Sequence, residues 1–229
     1  MIPKKIHYCW FGGTQKPELA LKCISSWKQY CPDYEIIEWN ENNFDINMNA
    51  YTKMCYEQKK YAFLSDYIRL VVLYKYGGLY FDTDVEVIKP FDKLLNCEAF
   101  IGFETNTFVN TGQGFGAEPK SSIVKQMMDE YNCVIDGAHG IIGCPNLNTA
   151  TLKRYGFSMT GEYQTINNVV LYPSDYFNPF DDTTGKLHKT NNTYSIHWYG
   201  KSWMSKTRIL RNRLARFYHR LRNGIKEKE

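Results

Sequence analysis

The stretch from Ala62 to Glu86 constrains the fold of this chain more than any other part of the sequence. In the part of this stretch that precedes Gly77, apolar residues recur at the spacing of one buried helix face. The pair Gly77-Gly78 ends this predicted helix, because glycine tolerates the left-handed conformations that close helices. From Leu79 to Val87, apolar and polar residues then alternate with a period of two, which predicts a strand.

Alternation along a regular strand places three acidic residues on one face, namely Asp82, Asp84 and Glu86. Carboxylate oxygens suit Mg²⁺ and Mn²⁺, and an ion held by one or two of them keeps open positions for phosphate oxygens. Such an ion can neutralise a diphosphate leaving group. An exposed strand face with ordinary charges is the alternative. The preceding helix favours the metal site, since it carries Ser65, Asp66 and Arg69 near its start.

The whole stretch resembles the DXD-containing glycosyltransferases. These include fungal initiating mannosyltransferases, bacterial capsule and lipopolysaccharide sugar transferases, and the glucosylating domains of large clostridial toxins. The shared pattern is A-x-x-S-D-x-x-R followed by L-Y-x-x-G-G-x-Y-x-D-x-D, and the matching residues are Ala62, Ser65, Asp66, Arg69, Tyr74, Gly77, Gly78, Tyr80, Asp82 and Asp84. The resemblance implies an α/β fold of the nucleotide-diphospho-sugar transferase (GT-A) type, with a mostly parallel central sheet.

The resemblance also assigns roles within this stretch. Asp82 and Asp84 would bind the metal ion, directly or through water, and Asp66 would hold sugar hydroxyls beside them. Arg69 would contact phosphate, for which the arginine fork is suited. Asn110 matches an asparagine that family members place near the donor sugar. The segment from Gly112 to Ala117 formally matches a dinucleotide fingerprint, but the next helix starts too late for that role, and we predict a loop facing the donor sugar.

The N-terminal run from Lys5 to Trp10 predicts a first strand that ends in the glycine turn Phe11-Gly12-Gly13. Open α/β sheets place their ligand loops at such strand ends. Family members carry a similar I-H-x-x-W-x-G start, whose aromatic residue packs against the nucleotide base. Trp10 is therefore the candidate for that stacking contact, with His7 as a further donor-site residue. Two core aromatic residues at a strand end are the alternative.

A second segment, Tyr194 to Trp203, is similar to the late H-x-x-x-x-S-W segment of the family. The resemblance implies that it folds over the donor. The resemblance also implies that His197 is a metal ligand, a role for which neutral imidazole is suited. It further implies that Ser202 and Trp203 contact the diphosphate. A core histidine between aromatic residues is the alternative for His197.

Positive charge is concentrated at the C-terminus. The chain has 229 residues and a net charge of +4, of which the residues from Lys201 onward contribute +8. Because the positive charge belongs to the C-terminal segment, it does not indicate nucleic-acid binding by the chain as a whole. From Lys206, four apolar residues at helical spacing lie among arginines, which predicts a basic amphipathic helix for an anionic membrane surface or for packing on its own domain. We therefore expect a glycosyltransferase domain over residues 1–205 and this helix over residues 206–229.

Cellular context follows from the cysteines and the N-terminus. The seven cysteines show no C-x-x-C spacing, which favours reduced thiols in a cytosolic protein. No apolar run is long enough for a membrane span, and Met1 to Lys5 leads straight into the first predicted strand without a signal peptide. The expected location is the cytoplasm, peripheral on the inner face of the membrane.

The family resemblance implies a retaining hexosyltransferase that uses a UDP- or GDP-sugar and Mn²⁺ or Mg²⁺. Its acceptor would be a hydroxyl of a glycan or lipid-linked glycan in capsule or lipopolysaccharide synthesis. A metal-dependent nucleotidyltransferase would also use D-x-D but leaves S-D-x-x-R and S-W unexplained. A non-catalytic membrane adaptor would need the basic tail but not the carboxylates.

Overall fold

The computed structural model describes residues 1–200, which form one seven-stranded sheet, two two-stranded ribbons and helices on both faces. The strands are β1 (Lys5–Cys9), β2 (Glu35–Trp39), β3 (Gly78–Tyr80), β4 (Val85–Val87), β5 (Ala99–Thr105), β6 (Phe108–Ala117), β7 (Gln164–Ile166), β8 (Val169–Tyr172), β9 (Phe180–Asp181), β10 (Lys186–Leu187) and β11 (Ser195–His197). The α-helices are α1 (Glu18–Tyr30), α2 (Ala50–Glu57), α3 (Tyr61–Tyr76), α4 (Ser122–Glu130) and α5 (Cys144–Tyr155).

The large sheet has the strand order β2-β1-β3-β6-β5-β8-β7. Strands β1, β2, β3, β5 and β8 run in one direction, and β6 and β7 run against them. The predicted α/β fold with a mostly parallel sheet is therefore confirmed. The carboxyl ends of β1, β3, β5 and β8 meet at one edge of the sheet, which is where such folds bind ligands.

The core lies on both faces of this sheet, and the alternation of side chains along β5 shows how. Phe100 points into the cluster that packs under α1, with Trp27 and Phe91. Ile101 and Phe103, two residues apart on the other face of the strand, point into the opposite cluster under α3, α4 and α5. Because both faces of β5 are covered, its sequence is apolar at nearly every position.

The predicted strand from Leu79 to Val87 is wrong as a single element. It consists of β3, in the large sheet, and β4, which pairs with β11 in a separate ribbon. Between them the chain turns, since the Asp82 N–H donates to Gly112 O at 2.7 Å and the Val85 N–H donates to Asp82 O at 3.0 Å. Asp82 and Asp84 thus lie in a turn between two sheets, not on one face of a strand.

The segment from Gly112 to Ala117 is also not the loop that the sequence predicted. It is the interior of β6, flanked by β3 and β5. A side chain at Gly116 would overlap the ring of Phe100, so glycine at this position permits close packing. This strand conformation explains why no dinucleotide-binding turn forms here.

Ser202, Trp203 and the predicted helix over residues 206–229 lie outside the described residues. Within residues 1–200, no helix combines the length and apolar character needed to cross a bilayer.

Candidate metal and donor site

Three potential metal ligands converge at the carboxyl edge of the sheet. Asp82 follows β3, Asp84 leads into β4, and His197 ends β11, where it pairs with Val85. One ligand atom from each of Asp82, Asp84 and His197 lies within 4.8 Å of the others. The fold therefore brings two neighbouring carboxylates together with an imidazole more than a hundred residues further along the chain.

Asp84 and His197 form a close pair in which His197 is buried and Asp84 is half-buried. His197 Nε2 lies 3.4 Å from Asp84 Oδ1, and the Gly200 N–H donates to Asp84 Oδ2 at 2.7 Å. Burial disfavours the charged imidazole, but the attraction of Asp84 outweighs it and raises the pKa of His197. Burial likewise opposes ionisation of Asp84, yet His197 and the Gly200 N–H lower the pKa of Asp84. His197 Nδ1 is buried and has no hydrogen-bond partner within residues 1–200.

Asp82 is held by Arg69. Arg69 Nη2 lies 2.9 Å from Asp82 Oδ1 and 2.9 Å from Asp66 Oδ1, while the Tyr80 hydroxyl donates to Asp82 Oδ1 at 3.2 Å. Burial opposes the charged guanidinium, but these two carboxylates raise the pKa of Arg69 well above its usual value. The Arg69 side chain is only 2% exposed. In this arrangement it orients Asp82, and the predicted direct contact with phosphate would require it to leave both carboxylates.

Gly112 makes room for Asp82. A Cβ atom at this position would collide with Asp82 Oδ2 and lie 3.1 Å from Arg69 Nη1. The backbone N–H of Gly112 donates to Asn110 Oδ1 at 2.7 Å, so Asn110 fixes the strand segment that backs the carboxylate. The described contacts of Asn110 thus support the site, and its contact with a donor sugar stays a prediction.

We expect Gly112→Ala to displace Asp82 and weaken metal binding about 10–100-fold, the usual effect of disturbing a group that orients a ligand. Titrating Mn²⁺ into the variant and measuring donor hydrolysis would give the change in apparent affinity. Gly143→Ala is the matched control, since the nearest atom to its added Cβ lies 3.8 Å away. Equal metal dependence in the Gly112→Ala and Gly143→Ala proteins would contradict this role.

Asp66 and Ser65 lie behind the carboxylates. Asp66 is 9% exposed, and it accepts the backbone N–H of Cys144 at the start of α5, where the helix dipole favours negative charge. Burial raises the pKa of Asp66, and Arg69 opposes that rise. The Ser65 hydroxyl donates to Ala62 O at 2.7 Å. Asp66 thus connects α3 to α5, Ser65 accepts from Arg69 Nη2 at 3.3 Å, and the contact of both residues with the donor stays a prediction.

His7 lies on β1 with its side chain turned into the protein, and its contact with the donor stays a prediction. Its side chain is fully buried, Nδ1 accepts from Trp39 Nε1 at 3.1 Å, and Nε2 therefore carries the proton and donates to Gly77 O at 2.8 Å. Burial lowers the pKa of His7 to about 4. Since both ring nitrogens are bonded, His7 secures the glycine turn after α3.

Trp10 is half-buried just beyond β1, at the same sheet edge as the carboxylates. Its Nε1 donates to Thr14 O at 2.7 Å, and Lys16 Nζ lies 5.7 Å from the ring centroid. The hydrogen bond fixes the ring in the loop that follows the first strand. Stacking on a nucleotide base stays a prediction that this position supports.

We expect Trp10→Ala to weaken nucleotide binding about ten-fold or more, because base–aromatic stacking is worth roughly 1–3 kcal/mol per base in nucleic-acid complexes. Calorimetric titration with UDP and GDP would measure the loss. Tyr163→Ala serves as control, since Tyr163 is 56% exposed on the loop before β7. Unchanged nucleotide affinity with a large drop in melting temperature would identify Trp10 as a core residue.

Two residues of this region, Tyr199 and Glu104, were not predicted as site residues from the sequence. The Tyr199 ring stacks on His197 with centroids 4.1 Å apart, and its hydroxyl donates to Glu104 Oε1 at 3.1 Å. Tyr199 also has a φ of 50°, in the left-handed region that tyrosine rarely occupies. Its position between His197 and Gly200 was the one available clue.

Comparison with known proteins points to the same region. Residues 17–101 match the family model described as a glycosyltransferase sugar-binding region containing the DXD motif. Inositol phosphoceramide mannosyltransferase 1 of Schizosaccharomyces pombe is 29% identical over 136 residues, covering 55% of this chain and 41% of that protein. Lactosylceramide 4-alpha-galactosyltransferase of Rattus norvegicus is 27% identical over 154 residues, covering 60% of this chain and 41% of that protein. The chain thus spans less than half the length of these relatives.

Solved structures share the fold at low sequence identity. PaToxG glycosyltransferase superposes with a TM-score of 0.54 at 18% identity, over 67% of this chain and 68% of that one. A glycosyltransferase involved in glycosylation of the major capsid of PBCV-1 superposes with a TM-score of 0.52 at 15% identity, over 93% of this chain and 98% of that one. Over residues 17–101 the chain thus resembles the DXD-containing glycosyltransferases, and its fold is that of solved glycosyltransferases.

Proposed function

We propose that this chain is a metal-dependent, retaining hexosyltransferase that uses a UDP- or GDP-sugar. The observation that carries the proposal is the cluster of Asp82, Asp84 and His197, which lies at the ligand-binding edge of the sheet. Retention is expected from the family resemblance, and no enzymic nucleophile is assigned.

The residues of the cluster fit a divalent ion. Two carboxylate oxygens and one imidazole nitrogen form a donor set that suits Mn²⁺ and accommodates Mg²⁺. His197 also has a buried nitrogen without a partner in the described part of the chain. A bound ion would supply positive charge to the diphosphate leaving group.

The remaining residues orient these ligands. Arg69 and Tyr80 fix the Asp82 carboxylate, while the Gly200 N–H fixes Asp84. Ligands held in this way lose little freedom when the donor binds. Trp10 would hold the nucleotide base at the neighbouring strand end.

Donor hydrolysis tests this function. The full chain would be incubated with a panel of UDP- and GDP-hexoses, with Mn²⁺, with Mg²⁺ and with chelator. We expect one nucleotide sugar to be hydrolysed only when a divalent ion is present. Release of diphosphate from a nucleoside triphosphate instead would favour a nucleotidyltransferase, and no turnover of any donor would favour a binding protein.

For the acceptor we propose a lipid-linked glycan at the cytoplasmic face of a membrane, in surface polysaccharide synthesis. Two kinds of observation support this. The residues from Lys201 onward carry the positive excess of the chain. The names of two relatives specify ceramide lipids. Residues 206–229 would then bind the membrane as a basic amphipathic helix.

We expect the full chain to bind anionic vesicles and a chain ending at Ser205 not to bind them. Each basic residue near an anionic surface contributes about 1 kcal/mol, and burial of apolar side chains adds to this. Flotation with phosphatidylserine vesicles at low and high salt would measure binding, and neutral vesicles serve as control. Equal recovery of both chains, or binding without salt sensitivity, would mean that the tail packs on protein.

A further inference from the structure

A cavity of about 450 Å³ opens at the carboxyl ends of β5 and β8. Glu104 and Thr105 end β5, and Ser174 follows β8, so this cavity lies at the same sheet edge as the metal cluster. In the strand order, Trp10 lies at β1 on one side of Asp82, and the cavity lies at β5 and β8 on the other. A donor that stacks on Trp10 therefore leaves this cavity available for a second substrate.

Two lines of contact connect the cavity to the metal cluster. Tyr199 lines the cavity, and the same ring stacks on His197. Glu104 also lines the cavity and accepts from Asn110 Nδ2 at 3.1 Å, while Asn110 in turn supports the strand segment against Asp82. The cavity and the reacting centre are thus separated by single side chains.

The lining is rich in groups that bind hydroxyls. Four of the lining residues carry carboxylates, namely Glu104, Asp175, Asp181 and Asp182, while within residues 1–200 no lysine or arginine lines the cavity and His188 is its one basic side chain. Hydroxyl donors bind carboxylates through short, strong hydrogen bonds. Several negative carboxylates in one concave site also repel an anionic ligand. This combination fits a neutral polyol and disfavours phosphate or uronate groups.

Part of this lining is fixed before any ligand binds. Asn178 Nδ2 donates to Tyr199 Oη at 2.7 Å and to Glu104 O at 3.1 Å, which sets the orientation of its amide. Asn178 Oδ1 then remains buried without a hydrogen-bond partner within residues 1–200. Asp181 is held by the backbone N–H of Thr183 at 2.8 Å. A volume of this size lies in the range of about 300–1,000 Å³ that small-molecule sites have.

We propose that this cavity binds the acceptor, and that the acceptor presents a neutral, hydroxyl-rich sugar to the metal cluster. The proposal rests on the glycosyltransferase function proposed above and specifies its second substrate. Any phosphate or lipid of the acceptor would lie outside the cavity, away from the four carboxylates.

Binding of simple sugars tests the proposal without turnover. Ligand-observed NMR would compare the methyl glycosides of glucose, galactose and mannose with methyl glucuronide and with hexose 6-phosphates. We expect at least one neutral glycoside to bind the full chain, and its anionic counterparts to bind about ten-fold more weakly or worse because of charge repulsion. Failure of every neutral glycoside to bind, or tighter binding of the anionic ones, would overturn the proposal.

Thr183→Arg locates the binding in this cavity. Thr183 is an exposed residue of the lining, and its turn contact uses the backbone, which the substitution keeps. We expect the variant to bind the neutral glycoside several-fold more weakly and to lose the discrimination against anions. Thr165→Arg, on the edge strand β7, is the control and should behave as the unmodified chain.

Metal-dependent donor hydrolysis, measured on the same proteins, keeps the two proposals distinguishable. It should be unchanged in Thr165→Arg, which lies on β7 and not in the lining of the cavity. Unaltered sugar binding and unaltered discrimination in Thr183→Arg would overturn the acceptor assignment even if donor hydrolysis is intact. Absence of donor hydrolysis in the unmodified chain would instead count against the glycosyltransferase function.

Discussion

Replacement of Asp84 by alanine is expected to abolish sugar transfer and leave the fold intact. The carboxylate contacts His197 and the Gly200 N–H and lies in a turn, so its removal takes little from the apolar core. A metal ion would lose one of two charged ligands, and charge stabilisation by such an ion is worth several kcal/mol, or about 10³-fold in rate. Turnover over a series of Mn²⁺ concentrations, together with the melting temperature, would measure both parts of this expectation.

Two further variants sharpen this experiment. Asp84→Asn keeps the size of the side chain and removes its charge, and it should show the same loss. Asp33→Ala removes an exposed carboxylate that pairs with Lys4 and should be without effect on turnover. Near-normal turnover of a folded Asp84→Ala protein at limiting metal would contradict the role of Asp84 as a ligand.

The second large effect is expected on stability. Arg69→Met would leave the carboxylates of Asp66 and Asp82 without their shared cation, and breaking a buried ion pair in this way costs about 3–5 kcal/mol of folding free energy. Urea unfolding would measure the loss. Arg154→Met is the matched control, since Arg154 is 57% exposed beside Glu130 and exposed pairs contribute about 1 kcal/mol or less.

A double variant separates the pairing from the packing of Arg69. If the cost comes from uncompensated charge, Asp66→Asn in the Arg69→Met background should restore part of the stability. A small cost for Arg69→Met alone would mean that the guanidinium is free to contact a ligand, as the sequence first suggested. The two outcomes thus decide between an orienting and a phosphate-binding role.

The sequence predicted the helix α3, the glycine turn after it and the two carboxylates, because each of these depends on local spacing. It failed where distant segments decide the structure. Alternation of side chains continues from β3 into β4, and nothing local shows that the chain changes sheet between them. The hydrogen bond from Asp82 to Gly112, in another strand, makes that turn.

The same reason applies to the other differences. α5 buries the polar residues Asn148, Thr149 and Thr151, so its sequence lacks the apolar stripe that predicts a helix. The bond between Tyr199 and Glu104 joins residues 95 positions apart and has no sequence signal. His7 occupies the position that the family pattern predicts, but only the three-dimensional structure shows that its ring faces inward.

The placement of the cluster across two sheets has a mechanical consequence. Asp82 belongs to the body of the domain, whereas Asp84 and His197 belong to the ribbon of β4 and β11. An ion bound by all three residues would cross-link the ribbon to the body of the domain. By thermodynamic linkage, the conformation in which the ribbon is docked on the body would bind the ion more tightly, and the bound ion would in turn slow amide exchange in β11.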